Sequence, residues 1–189
     1  MEKVGILGGT FNPPHLGHLI IANEVMSSHG LDEVWFMPNH EPPHKKRSDN
    51  VSSNDRIKML ELALYNHPGF KLELIELERE GPSFTYDTIR ILKEHYPQKQ
   101  FYFIIGADMV EYLPKWHNID KLLELITFIG VRRPSYNLHT PYPILYADIP
   151  EMGISSSMIR NRVKEGGTIR YLVPDAIRSY IKENHLYES

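Results

Sequence analysis

The chain has 189 residues, 41% of them apolar, enough to bury one ordinary core without disulfide or metal staples. Its 21 Lys and Arg against 24 Asp and Glu leave a net charge of -3, which excludes the basic footprint of a protein that wraps nucleic acid; any nucleotide partner is expected to be small. With no cysteine there is no disulfide framework, no thiol nucleophile and no thiolate zinc site, and a reducing compartment is expected.

The start, Met1-Glu2-Lys3, leads directly into an apolar run too short for a signal-peptide core or a membrane span, so the chain reads as soluble and cytoplasmic. Lys3 to Leu7 is predicted as a buried strand and Leu16 to Ser28 as a helix with the apolar stripe Leu16, Leu19, Ile20 and Met26, stopped at Gly30. Glu33 to Met37 is a second strand, closed by Pro38. The polar, Pro-rich stretch 39–52 is then a long loop. Ser53-Asn54-Asp55 offers caps for a helix to about His67 built on Ile57, Met59, Leu60, Ala63 and Leu64. A partly alternating strand is predicted from Phe70 to Leu77, broken at Gly81-Pro82-Ser83.

Tyr86 to Tyr96 forms the next helix, ended by Pro97. Phe101 to Ile105 is the most hydrophobic strand candidate and runs into Gly106-Ala107-Asp108. A broken helical region from Met109 to Leu125 precedes a strand from Thr127 to Val131, and residues 135–143 read as loop. Ile144 to Ala147 is a last strand, Ser155 to about Glu165 a helix punctuated by Gly166-Gly167, and Pro174 to Glu183 a final helix with Ile177, Tyr180 and Ile181 inward. Strands and helices alternate throughout. The expected fold is an α/β, Rossmann-like, doubly wound parallel sheet with helices on both faces, as a single domain over residues 1–189. In such sheets ligands collect at the carboxyl ends of strands near the switch in strand order. The turns after the first strand, after Ile105 and before Ser155 are all placed to converge there.

Two stretches carry chemistry. Gly8-Gly9-Thr10 ends a strand with small residues, free N–H groups and a hydroxyl, and His15 and His18 follow at i and i+3 about the first helical turn, a layout suited to phosphate oxygens. A zinc pair is the sharper alternative for the two histidines, but no third ligand stands nearby in the sequence. In Ser155-Ser156-Ser157-Met158-Ile159-Arg160 three hydroxyls cap a helix whose N-terminus attracts anions, with Arg160 about a turn later. The plain alternative is a serine cap with a solvated arginine.

These residues carry a resemblance. Gly8-Gly9-Thr10-Phe11-Asn12-Pro13-Pro14-His15-Leu16-Gly17-His18 is similar to the G-G-T-F-[DN]-P-x-H-x-G-H signature of the nucleotidyltransferase superfamily. Ile154-Ser155-Ser156-Ser157-Met158-Ile159-Arg160 is similar to its I-S-S-[ST]-x-[IL]-R signature. The Asn-Pro-Pro form, Pro43-His44-Lys45, Gly106-Ala107-Asp108 and Trp116-His117 resemble the bacterial nicotinate-nucleotide adenylyltransferase family over nearly the whole chain. The resemblance implies transfer of AMP from ATP to nicotinate mononucleotide, giving deamido-NAD and pyrophosphate with Mg2+ as helper. It implies His18, His15 and Arg160 as the catalytic set. It places ATP against Gly8, Gly9, Thr10, Phe11, His15, His18, Gly106, Asp108, Ile154, Ser155, Ser156, Ser157, Arg160 and Lys45, and nicotinate mononucleotide against Thr85, Tyr112 and Trp116.

The chemistry asks for no protein nucleophile, only for groups that hold charge as it develops on phosphate oxygens. Lys45 or Lys46 is a candidate to close over the phosphates, against a solvated basic run His44 to Arg47. Trp35, Tyr96, Phe101, Phe103 and Phe128 read as packing, and His29, His67, His95, His139 and His185 as surface or helix-end residues. An adenylyltransferase for another phosphorylated acceptor such as phosphopantetheine, a cytidylyltransferase, a silent nucleotide-binding regulator and a class I aminoacyl-tRNA synthetase fragment are the competing readings. Assembly into a homo-oligomer is left open.

Overall fold

The alternation of side chains along each strand divides the apolar runs between two faces. Val4 and Ile6, Trp35 and Met37, Phe101, Phe103 and Ile105, and Phe128 meet in one buried cluster; Leu7, Val34 and Phe36, Tyr102 and Ile104, and Ile129 and Val131 meet in another on the opposite face. A computed structural model of the chain, which describes residues 1–40, 51–81, 83–132 and 140–189, places these strands in one sheet. The strands are β1 (Glu2–Gly9), β2 (Glu33–Pro38), β3 (Phe70–Leu72), β4 (Lys99–Gly106), β5 (Thr127–Arg132) and β6 (Ile144–Asp148). Their order is β3-β2-β1-β4-β5-β6 and every neighbouring pair is parallel. The chain winds outward from β1 in one direction and from β4 in the other. The switch between the two halves lies where β1 and β4 run side by side, the usual place for a ligand crevice.

Helices cover both faces, as expected. Helices α1 (Leu16–His29) and α2 (Ser53–Leu64) lie on the Leu7 face; α3 (Ile75–Glu78), α4 (Thr85–His95), α5 (Ala107–Val110), a 3-10 turn (Leu113–Lys115) and α6 (Ile119–Leu125) lie on the Val4 face. Helices α7 (Ser156–Lys164) and α8 (Asp175–Glu183) pack on the outer side of α2 through Met59, Ile159, Ile177 and Ile181, with Val51 and Tyr187 closing that cluster. Among the described residues no helix is long and apolar enough to cross a membrane.

Two expectations are corrected. The strand predicted from Phe70 to Leu77 stops at Leu72, because the Glu73 carboxylate accepts the Ile75 N–H at 3.0 Å and starts a helical turn that drives Ile75 into the core. On α1 the fully buried residues are Gly17, Ala22 and Val25; of the predicted stripe, Leu19 and Met26 pack against the core while partly buried, and Leu16 and Ile20 are partly buried as well. The first turn of α2 is capped by Ser52, whose hydroxyl accepts from the Asp55 N–H at 3.1 Å while Asp55 accepts from the Ser52 N–H at 2.8 Å.

The far end of the chain is tied to its beginning. The Tyr187 hydroxyl, on a residue 2% exposed, donates to Asn12 Oδ1 across 175 positions of sequence. Tyr187→Phe keeps the packed ring and removes this bond, so stability is expected to fall by about 1 kcal/mol and Tm by roughly 2–4 °C. Thermal unfolding of the two chains measures this, and an unchanged Tm would show that the hydroxyl contributes nothing.

Candidate active site

Parallel strands end with backbone groups that no ladder satisfies, and how those groups are satisfied decides what a strand end offers a ligand. Beyond β1 the carbonyls of the turn are taken by side chains from elsewhere in the chain. Arg56 Nη1 donates to Thr10 O at 2.7 Å, Arg160 Nη1 to Asn12 O at 2.9 Å and Ser156 Oγ to Pro13 O at 2.9 Å. Phe11, with φ of 51°, is held in the left-handed region, and its 2% exposed ring tucks edge-on against His18 at 4.9 Å and beside Phe36 at 5.8 Å. The ring supports the turn from beneath. Burying an aromatic side chain offsets the backbone strain.

His15 precedes α1 and His18 lies in its first turn; their rings stack at 3.7 Å. A Cβ on Gly17 would stand 2.8 Å from the His15 ring, so only glycine permits that placement. The His15 N–H donates to His18 Nδ1 at 3.1 Å, which makes Nδ1 the acceptor and leaves the proton of a neutral His18 ring on Nε2. Burial pulls the His15 pKa down to about 4. Burial, with the adjacent His15 charge, pulls that of His18 down to about 3. Both rings are therefore neutral N–H donors at pH 7. Among the described residues no three His, Asp or Glu side chains converge on a metal position, and the stacked pair has no third ligand beside it.

Two cavities flank the switch point and share the floor Leu7, Ile104, Ile105 and Gly106. The smaller, about 490 Å3, is bounded by His15, Gly17, Asp108, Arg132, Met152 and Ile154. Asp108 folds back so closely that a Cβ on Gly106 would lie 2.7 Å from its Oδ1. The larger, about 1250 Å3, is bounded by Gly8, Asn39, Ser83, Thr85, Met109 and Trp116. Trp116 is anchored edge-on against Phe103 at 6.0 Å and Phe128 at 5.8 Å, which fixes the plane of an indole partly open to the cavity.

Of the residues singled out in the sequence, Gly8, His15, Gly106, Asp108, Ile154, Thr85 and Trp116 line these cavities. Gly9 ends β1, Thr10 follows it and His18 lies in the first turn of α1; none of the three lines either cavity. Ser155 caps α7 by accepting the Met158 N–H at 3.2 Å, and Ser157 Oγ accepts from Arg160 at 3.2 Å, so the serine hydroxyls are engaged within the fold. Tyr112 is exposed, lies outside the lining of both cavities and carries Lys115 Nζ 5.5 Å from its ring centroid. Lys45, Lys46 and His139 fall outside the described residues. Trp35 is a core residue, as read from the sequence.

Sequence reasoning missed three features. Arg132, at the end of β5, walls the smaller cavity while its Nε donates to Asp148 at 2.8 Å; its position at a third strand end is the signal that could have marked it. Buried Glu76 and Thr88 and partly buried Arg79 form a chain, with Arg79 donating to Thr88 Oγ1 at 2.9 Å and Thr88 to Glu76 at 3.1 Å, and burial raises the Glu76 pKa. Reading 70–77 as one strand hid it. The third is Arg56, a charged residue of α2 that is only 1% exposed.

Residues 6–162 match the cytidylyltransferase-like family. Over all 189 residues, 100% of each chain, the protein is 58% identical to the nicotinate-nucleotide adenylyltransferase of Bacillus subtilis (strain 168). The fold is similar to that of Plasmodium falciparum nicotinic acid mononucleotide adenylyltransferase, solved with APC and with NaAD, at a TM-score of 0.79 and 22% identity over 100% of this chain and 98% of that one. The two cavities over β1 and β4 and the full-length identity lead to one assignment: the chain belongs to the nicotinate-nucleotide adenylyltransferase family, within the cytidylyltransferase-like group.

Proposed function

We propose that the chain acts as a single nucleotidyltransferase domain whose two cavities hold the two substrates of one adenylyl transfer. The reaction moves AMP from ATP to nicotinate mononucleotide, giving deamido-NAD and pyrophosphate in NAD biosynthesis. A phosphate oxygen of the mononucleotide attacks the α-phosphorus of ATP in line, a new P–O–P link forms, and the bond to the β-phosphate breaks as pyrophosphate leaves. No covalent enzyme intermediate is needed. The observation that carries this reading is the pair of cavities sharing one floor beside the Gly8-Gly9-Thr10 turn.

ATP takes the smaller lobe, with the adenosine against Gly106, Asp108 and Ile154, the Asp108 carboxylate accepting from the ribose. Its triphosphate runs over Gly8, Gly9, Thr10 and the His15–His18 pair towards Ser155, Ser156, Ser157 and Arg160. Phe11 supports that turn, and Lys45, outside the described residues, keeps the phosphate role that the resemblance implies. The mononucleotide takes the larger lobe, its pyridine ring stacked on Trp116 with its carboxylate near the Thr85 backbone. His18 is assigned to the α-phosphate. As a neutral Nε2–H donor in a buried setting it stabilises oxygen charge without itself carrying a proton away. Transfer from ATP uses a divalent cation, which we take to be Mg2+; it neutralises phosphate charge. The sparse acidic lining of the smaller lobe fits an ion that takes most of its oxygens from the nucleotide and water. The partners are these small molecules. The expected compartment is the cytoplasm.

Three outcomes test the assignment. Steady-state assays with nicotinate mononucleotide, nicotinamide mononucleotide and phosphopantetheine as acceptors should favour the first; preference for either other acceptor overturns the reading. His18→Ala should lower kcat about 100- to 1000-fold with the fold intact, as for a lost oxyanion donor, and near-normal turnover would remove His18 from the step. The third outcome concerns pH. The folded pKa values of His15 and His18 lie below the unfolded value of 6.5, so as pH falls below 6.5 the unfolded chain takes up the protons first. Stability is thus full above about pH 6.5 and declines from there as pH falls through about 4 for His15 and about 3 for His18. Nitrogen-15 NMR of the ligand-free chain should show both rings still neutral at about pH 5.5, with His18 as the Nε2–H tautomer; protonation of either near its ordinary value would refute this.

A further inference from the structure

Arg56 lies in the first turns of α2 and is 1% exposed. A guanidinium keeps its charge in proteins, and removing it from water is costly unless its donors meet well-placed acceptors. Here Nη1 donates to both Thr10 O at 2.7 Å and Asn39 O at 2.9 Å, and Nη2 donates to Ser53 Oγ at 3.3 Å. Thr10 is the first residue beyond β1 and Asn39 the first beyond β2. One nitrogen therefore grips the ends of two neighbouring strands, and the backbone ties the same ends again through the Asn39 N–H to Gly9 O at 3.0 Å.

The two gripped carbonyls stand on different segments of the site. Thr10 follows Gly8 and Gly9 in the turn proposed to meet the triphosphate, between Gly8 in the larger lobe and His15 in the smaller, whereas Asn39 is part of the larger lobe's wall, where its Oδ1 is buried with no hydrogen-bond partner among the described residues. In-line transfer depends on how far the attacking oxygen stands from the α-phosphorus, and a displacement of about 1 Å costs on the order of 100-fold. We infer that Arg56 is a positioning residue for the transfer step: it fixes the phosphate turn relative to the wall of the acceptor lobe. The inference rests on the assignment of the two lobes to ATP and the mononucleotide.

Its test compares Arg56→Met and Arg56→Lys with Leu64→Ala, a buried position on the same helix outside both cavities. All are assayed well below their own Tm. Both Arg56 variants should bind ATP and nicotinate mononucleotide singly within about threefold of the parent Kd, while kcat falls roughly 30- to 100-fold. Leu64→Ala should lose Tm yet keep kcat within about twofold. Arg56→Lys carries the comparison if the Met variant does not fold. A kcat within about threefold of the parent, or a kcat lost only in step with both Kd values or with Leu64→Ala, overturns the inference. Hydrogen exchange at the Asn39 amide reads the same grip without turnover: it should quicken at least about tenfold in the Arg56 variants over Leu64→Ala, and equal rates refute it. Should the parent chain form no deamido-NAD, the assignment of substrates fails while the exchange rates still decide whether Arg56 holds the two strand ends.

Discussion

The structure turns on the disposal of three carbonyl oxygens. A strand end that is to receive a polyphosphate must present donors, yet each residue of the turn also carries an acceptor that would repel the same anion. Thr10, Asn12 and Pro13 resolve this by giving their carbonyls to Arg56, Arg160 and Ser156. Those three side chains come from α2 and α7, which pack on each other through the cluster that also holds α8 and Tyr187. Helices from the first and last thirds of the chain thus serve the turn that follows β1. On the proposed reading, their packing keeps that turn in the polarity that suits phosphate.

The same logic governs the histidines. Stacked at 3.7 Å and largely withdrawn from water, they cannot both carry charge, and the acceptor bond at His18 Nδ1 selects the tautomer that donates from Nε2. A pair of cations at this point would bind pyrophosphate strongly and resist its release. Neutral donors in a poorly solvated setting give directional stabilisation where charge develops without holding the product by net charge. The shared floor of Leu7, Ile104, Ile105 and Gly106 supplies that setting, because β1 and β4 are the central pair of the sheet and carry buried residues on both faces.

Much of this was legible in the residues themselves. Strands with apolar runs and helices with caps announce their type locally, so five of the six strands and the principal helices fall where the pattern puts them. The exception at 70–77 is instructive. Leu72, Leu74, Ile75 and Leu77 fit a strand, but the carboxylate of Glu73 and the burial of Glu76 against Thr88 make a helical turn there, and both partners lie outside the pattern that periodicity reads. Tyr112 shows the converse. Its aromatic ring suggests a stacking platform, whereas its place beside the 3-10 turn leaves it exposed, and Trp116, pinned by Phe103 and Phe128, takes the cavity wall.

By itself the sequence determined the parallel α/β fold, the glycine turn with its two histidines and the serine-started helix, since each depends on short-range spacing or on residue chemistry, and the resemblance those motifs carry implied the kind of reaction. Only the tertiary structure decided which side chains serve that turn from a distance. Arg56, Arg160 and Tyr187 lie 46, 148 and 175 positions from their partners in it. Arg56 has the look of an ordinary polar position on an amphipathic helix; its burial, and with it the strict demand for acceptors, arises when α2 docks on the sheet and brings it against two strand ends that local pattern places far apart.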